Sequence, residues 1–118
     1  MEYRYINTDY LESVSGGDNS VIAEIIEMFR EQAAEMYNEM EKLLSMNSYH
    51  HLGLLAHKAK SSVAIMGMAD LASMLKTFEL EAKDGRNTGN YEGYVRRFRD
   101  DTNEAIKELD DLILTKKL

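Results

Sequence analysis

The chain has 118 residues, of which 44% are hydrophobic and 30% charged, and it contains no proline and no cysteine. The lack of cysteine excludes disulfides, thiolate metal sites and cysteine nucleophiles. The formal net charge of −7 repels phosphate backbones and anionic lipid surfaces, so we expect neither nucleic acid nor a membrane among the partners. No apolar run approaches the roughly 20 residues that cross a bilayer, and we expect a cytoplasmic protein.

Composition and hydrophobic periodicity predict an all-α protein, because Ala, Leu, Met, Glu and Lys dominate and no proline interrupts the pattern. The predicted helices, in chain order, are a short one from about Asn7 to Gly16, a long one capped by Asp18 or Asn19, one from about Ser48 to Met66, one that follows Gly67 and ends at Gly85, and one from about Tyr91 to Leu114. Short connections make consecutive helices antiparallel. The sequence therefore predicts an antiparallel, up-down-up-down four-helix bundle with a short extra N-terminal helix, in one domain spanning residues 1–118.

The most informative segment runs from Ala56 to Gly67, in the second long helix. His57 and Lys60 are three residues apart, so they project side by side from the helix surface. The predicted core stripe lies on another face, and it comprises Leu52, Leu55, Ala56, Ala59, Ser62, Val63 and Met66. The neighbours of His57 along its own face are all small: Gly53, Ser61 and Ala64. We therefore expect an accessible imidazole beside an ammonium, an arrangement suited to carrying a phosphoryl group.

This segment resembles the histidine-phosphotransfer (HPt) family, whose signature reads roughly H-x-x-K-[GS]-[SA]-x-x-x-x-G. The signature falls on His57, Lys60, Ser61, Ser62 and Gly67, with Ser61 where most members have glycine. The resemblance implies that His57 accepts a phosphoryl group from a receiver-domain aspartate and passes it to another receiver in a two-component phosphorelay.

The resemblance also implies roles for Lys60, Glu79 and Lys83 around His57. Lys60 matches the lysine that supports the phosphohistidine. Ser61 departs from the commonest family residue at its position, and its hydroxyl can donate to the phosphoryl group. Glu79 and Lys83 lie on the next helix, about as far after the turn at Gly67 as His57 lies before it. Glu79 matches a residue that accepts a hydrogen bond from the other imidazole nitrogen, which leaves Nε2 to attack. Lys83 matches a basic residue near the phosphoryl group.

The expected partners are the receiver domains of a hybrid histidine kinase and of a response regulator. We expect the docking surface to include Tyr10, Leu11, Gly53, Ala64 and Gly67. A metal ion used in the transfer would belong to the receiver, so the chain is expected to need no cofactor. It has no glycine-rich nucleotide loop, and we expect a monomeric carrier that is not an enzyme.

The same residues admit other interpretations. The main alternative is a helical adaptor that binds a response-regulator receiver without being phosphorylated, and a second is a bundle fragment of a larger sensor kinase. A metal site is disfavoured because His50 and His57 are two helical turns apart, about 10 Å along the axis, and the Glu-x-x-His pairs of di-iron bundles do not occur.

Overall fold

The computed structural model describes residues 3–116, which form five α-helices and one short 3₁₀ turn and contain no β-strand. The helices are α1 (Thr8–Ser15), α2 (Asn19–Ser45), α3 (Tyr49–Ile65), α4 (Ala69–Asp84) and α5 (Tyr91–Lys116), with the 3₁₀ turn at Thr88–Asn90. Each predicted helix is present, and its ends lie within a few residues of the predicted ones. The all-α prediction is confirmed.

The helix ends follow from capping chemistry, with one correction. Asn7 and Asp18 precede α1 and α2, and their side chains accept hydrogen bonds from first-turn backbone amides. Gly85 ends α4 in the left-handed conformation, with φ of +64°. Ser48 stands at the predicted start of α3, but its side chain makes no capping hydrogen bond. The chain turns there at Asn47, whose φ is +54°.

The four long helices form the bundle and bury a continuous apolar core. Its members come from every long helix and include Ile26, Phe29, Met40, Leu52, Val63, Leu75, Phe78, Phe98 and Leu109. The 27 residues of α2 rise about 40 Å, which accounts for the molecule's long dimension of 44 Å. The short helix α1 packs outside the bundle against α2 and α3, so one side of α3 faces α1 while another faces α4.

Candidate functional site

The imidazole of His57 stands on the outer surface of α3, with one nitrogen held and the rest of the ring accessible. Its side chain is 58% exposed. Its Nδ1 lies 3.0 Å from both carboxylate oxygens of Glu79, across the interface with α4. Among the described residues, no partner contacts Nε2. The nitrogen that faces solvent is therefore Nε2.

Glu79 is a buried carboxylate with two cationic or potentially cationic neighbours. Its side chain is only 5% exposed, and the ammonium of Lys83, one turn later on α4, donates to Oε2 at 2.7 Å. The hydrogen bond from Lys83 and, after it, the contact with His57 outweigh the opposing effect of burial and lower the pKa of Glu79 from 4.5 to about 2. Glu79 is therefore an anion at neutral pH, and it can only accept from Nδ1.

Gly53 allows α4 to approach α3 closely enough for this contact. A Cβ at Gly53 would lie 2.8 Å from Cγ of Lys83 and 3.1 Å from the backbone oxygen of Glu79. The sequence interpretation placed Gly53 on the docking surface, but the residue is buried. The space left by its missing side chain is filled by α4, so we remove Gly53 from that surface.

The remaining residues expected beside His57 lie on the same side of α3. Ser61 and Ala64 are exposed, one and two turns beyond the histidine. Lys60 is half-buried, and none of the ion pairs within residues 3–116 involves it. Lys83 instead has its ammonium on Glu79, so the structure places it on the Nδ1 side of the ring.

Three residues expected at the docking surface lie near α1, and only one of them is exposed. Tyr10 is 50% exposed, whereas Leu11 is 2% exposed and belongs to the core. Gly67 is covered by the chain before α1: a Cβ there would lie 2.9 Å from the backbone nitrogen of Asn7. Leu11 and Gly67 therefore have structural roles, since packing hides the first and Asn7 occupies the space beside the second.

An apolar groove between α1, α2 and α3 was not foreseen from the sequence. It encloses about 360 Å³, and its lining includes Tyr10, Val14, Ile25, Met28, Ile65 and Met66. Four of these are exposed large apolar side chains: Tyr10, Val14, Met28 and Ile65. Ile65 is two turns beyond His57 on α3, about 12 Å along the axis. One feature of the sequence could have indicated this groove. The apolar stripe of α2 extends to Met28, so it is wider than the face that packs into the core.

No metal-binding arrangement is found in the described part of the chain, where no three His, Cys, Asp or Glu side chains cluster suitably. His50 and His51 are exposed on the first turn of α3, away from Glu79. Within residues 3–116, no helix is long and apolar enough to span a bilayer.

Comparison with known proteins identifies the family. A family model described as the Hpt domain matches residues 24–112. The chain belongs to the Hpt domain family. The matched range contains His57, Lys60, Glu79 and Lys83 but not α1. No curated protein and no solved structure gives a significant match to the chain.

Membership in the Hpt family establishes the general activity. Hpt domains are phosphotransfer modules of two-component signalling, they act as carriers and not as conventional enzymes, and they interact with receiver domains. The chain is accordingly a phosphotransfer-type signalling domain.

Proposed function

We propose that this Hpt domain carries a phosphoryl group on Nε2 of His57, received from the aspartyl phosphate of one receiver domain and delivered to the aspartate of another. The observation that supports this most strongly is the half-exposed imidazole whose Nδ1 is held by the buried Glu79 carboxylate. His50 and His51 have no carboxylate partner among the described residues. Of the three histidines, only His57 combines an exposed ring with a hydrogen bond between Nδ1 and a carboxylate.

The transfer requires no proton movement at the nucleophile. The lone pair of Nε2 attacks phosphorus, the bond between phosphorus and the aspartate oxygen breaks, and the electron pair leaves with the aspartate carboxylate. The proton on Nδ1 stays, and the phosphorylated ring becomes a cation. Glu79 is an anion at 3.0 Å from Nδ1, so it stabilises the positive charge that develops during attack. Reversing these steps delivers the phosphoryl group to a second receiver.

Lys60 and Ser61 are the groups proposed to contact the phosphoryl group. Lys60 lies three residues after His57, and its ammonium takes part in none of the ion pairs within residues 3–116. Phosphoryl transfer depends mainly on positioning and charge stabilisation. We assign Lys60 to the phosphoryl oxygens, with Ser61 as a hydroxyl donor. Lys83 is assigned a positioning role, because its ammonium donates to Glu79 and keeps that carboxylate beside Nδ1.

The docking surface that we propose joins the site to the apolar groove. It consists of Tyr10, Val14, Met28, Ala64 and Ile65, all of which are exposed. This set keeps Tyr10 and Ala64 from the sequence interpretation and adds groove residues. We propose that a receiver domain covers this surface while its aspartate faces His57, and that the Hpt chain acts as a monomeric carrier with no cofactor of its own.

Phosphoryl transfer from a radiolabelled phospho-receiver tests the proposal, with His57→Gln compared with His51→Gln as the matched control on the same helix. We expect acid-labile, alkali-stable label on the native protein and on His51→Gln. We expect none on His57→Gln. Label on His57→Gln would refute the site. Binding of receivers without any labelling of the native protein would favour the adaptor alternative.

A further inference from the structure

Helix α1 supplies part of the proposed docking surface but cannot hold its own position. Tyr10 and Val14 are both close to half exposed and line the apolar groove. The helix has eight residues, and only Leu11 and Ser15 are buried. Isolated helices shorter than about 12 residues are marginal in water. Contacts outside α1 must therefore determine where these two side chains stand.

The segment before α1, residues 4–6, is hydrogen-bonded to α5 through the carboxylate of Glu108. Both oxygens of Glu108 accept backbone hydrogen bonds: Oε2 accepts from Arg4 at 2.9 Å, and Oε1 accepts from Tyr5 at 2.9 Å and from Ile6 at 3.1 Å. Hydrogen bonds to an ionised acceptor are about twice as strong as neutral ones. The side chain of Ile6 is buried in the core at the same place. Glu108 thus fixes three consecutive peptide units.

Three further hydrogen bonds connect this segment and α5 to α1. The backbone amide of Asn7 donates to the carbonyl of Met66 at 2.9 Å, and the Asn7 side chain caps α1 by accepting from Asp9. Lys116 on α5 donates to Glu12 of α1 at 2.6 Å. The helix therefore starts at a point set by Glu108 and Asn7.

We propose that Glu108 is a positioning residue for receiver docking, acting through residues 4–7 to place Tyr10 and Val14 beside the groove. This inference rests on the proposed function. It extends the docking role to residues 4–15, which lie outside the Hpt family match. Glu108 belongs to α5 and does not line the groove. Its effect on docking is therefore transmitted through the segment that it binds.

Binding of an isolated receiver domain to Glu108→Gln tests the proposal. Glutamine keeps the size of the side chain but turns one of the two accepting oxygens into a donor. Glu104→Gln is the matched control, because Glu104 lies one turn earlier on α5 and, within residues 3–116, its one ion pair is with Lys107 at the surface. Asn7→Ala is a second variant that loosens α1 without changing the bundle. Hydrogen exchange of the backbone amides of residues 4–6 measures directly whether their hydrogen bonds to residue 108 are kept.

We expect Glu108→Gln and Asn7→Ala to raise the Kd for the receiver about fivefold or more, and Glu104→Gln to leave it unchanged. Exchange at residues 4–6 should accelerate in Glu108→Gln alone. Phosphorylation of His57 by phosphoramidate, a small donor that needs no docking, should keep its native rate in all three variants. An unchanged receiver Kd in Glu108→Gln, or a slower reaction with phosphoramidate, would overturn the proposal.

The same binding assay separates this inference from the phosphocarrier proposal. A native protein that binds the receiver without becoming labelled contradicts the carrier role, while the comparison of Kd values still decides the role of Glu108. A native protein that is labelled, with equal Kd values for native and Glu108→Gln proteins, contradicts only the role of Glu108.

Discussion

At the scale of single residues, the site is a chain of three groups with one free nitrogen at its end. Lys83 donates to Glu79, and Glu79 accepts from Nδ1 of His57. A buried carboxylate without partners would be costly, and these two contacts offset that cost. The arrangement fixes which nitrogen is protonated, and in the proposed transfer it places an anion beside the positive charge of the phosphorylated ring.

Lys60 is expected to affect the rate of transfer without affecting the fold. Lys60→Ala removes the cation that we assign to the phosphoryl oxygens, and loss of a charge-assisted interaction of about 1.5 kcal/mol corresponds to about a tenfold slower transfer. Lys76→Ala is the control, since Lys76 is exposed on α4. Rapid-quench kinetics with a phospho-receiver measure the difference. Equal rates for the two variants would remove the role assigned to Lys60.

The lowered pKa of Glu79 predicts a specific loss of stability in acid. The folded-state pKa is about 2 and the ordinary value is 4.5, so the ionised form stabilises the fold above pH 4.5. That contribution is lost as the pH falls towards 2. We expect the difference in the free energy of unfolding between native and Glu79→Gln proteins to shrink by about 2 kcal/mol between pH 5 and pH 3. Urea unfolding at both pH values measures it, and a constant difference would contradict the ion pairing.

At the scale of elements, the site depends on how closely α3 and α4 pack. Gly53→Ala places a methyl group 3.1 Å from the backbone nitrogen of Lys83, so α4 must shift away from α3. We expect a destabilisation of about 1–3 kcal/mol and slower phosphoryl transfer, because Glu79 moves with α4. Chemical unfolding and transfer kinetics on one preparation measure both effects.

Gly93→Ala is the matched control for that substitution. Gly93 lies in α5, where a Cβ meets nothing within 4 Å. Alanine favours helix over glycine by up to about 1 kcal/mol, so this variant should be as stable as the native protein or more so, with native transfer rates. If Gly53→Ala behaved like Gly93→Ala, close packing of α3 on α4 would not be what holds Glu79.

At the scale of the whole molecule, local patterns predicted the bundle, and contacts between distant segments decided the details of the site. Helix ends follow from caps such as Asp18 and from apolar spacing, which a sequence displays directly. The pairing of His57 with Glu79 was predicted from the family resemblance, and it fits the sequence because Glu79 lies about as far after the turn at Gly67 as His57 lies before it.

Other features depended on which segment fills a space, and residue type does not show this. Glycines at positions 53 and 67 suggested an open docking surface, but α4 covers Gly53 and Asn7 covers Gly67. Glu108 looks like any surface glutamate of α5 until residues 4–6 are seen against it. The apolar groove likewise exists only because α1 lies across α2 and α3.

The measurement that tests the central claim most directly is a two-dimensional ¹H–¹⁵N correlation spectrum of the histidine rings after phosphorylation by a phospho-receiver. We predict that the signals of one histidine ring shift and that this ring is His57. The phosphoryl group should be on Nε2, while Nδ1 keeps its proton and its hydrogen bond to Glu79. A phosphoryl group on Nδ1, or on the ring of His50 or His51, would contradict it.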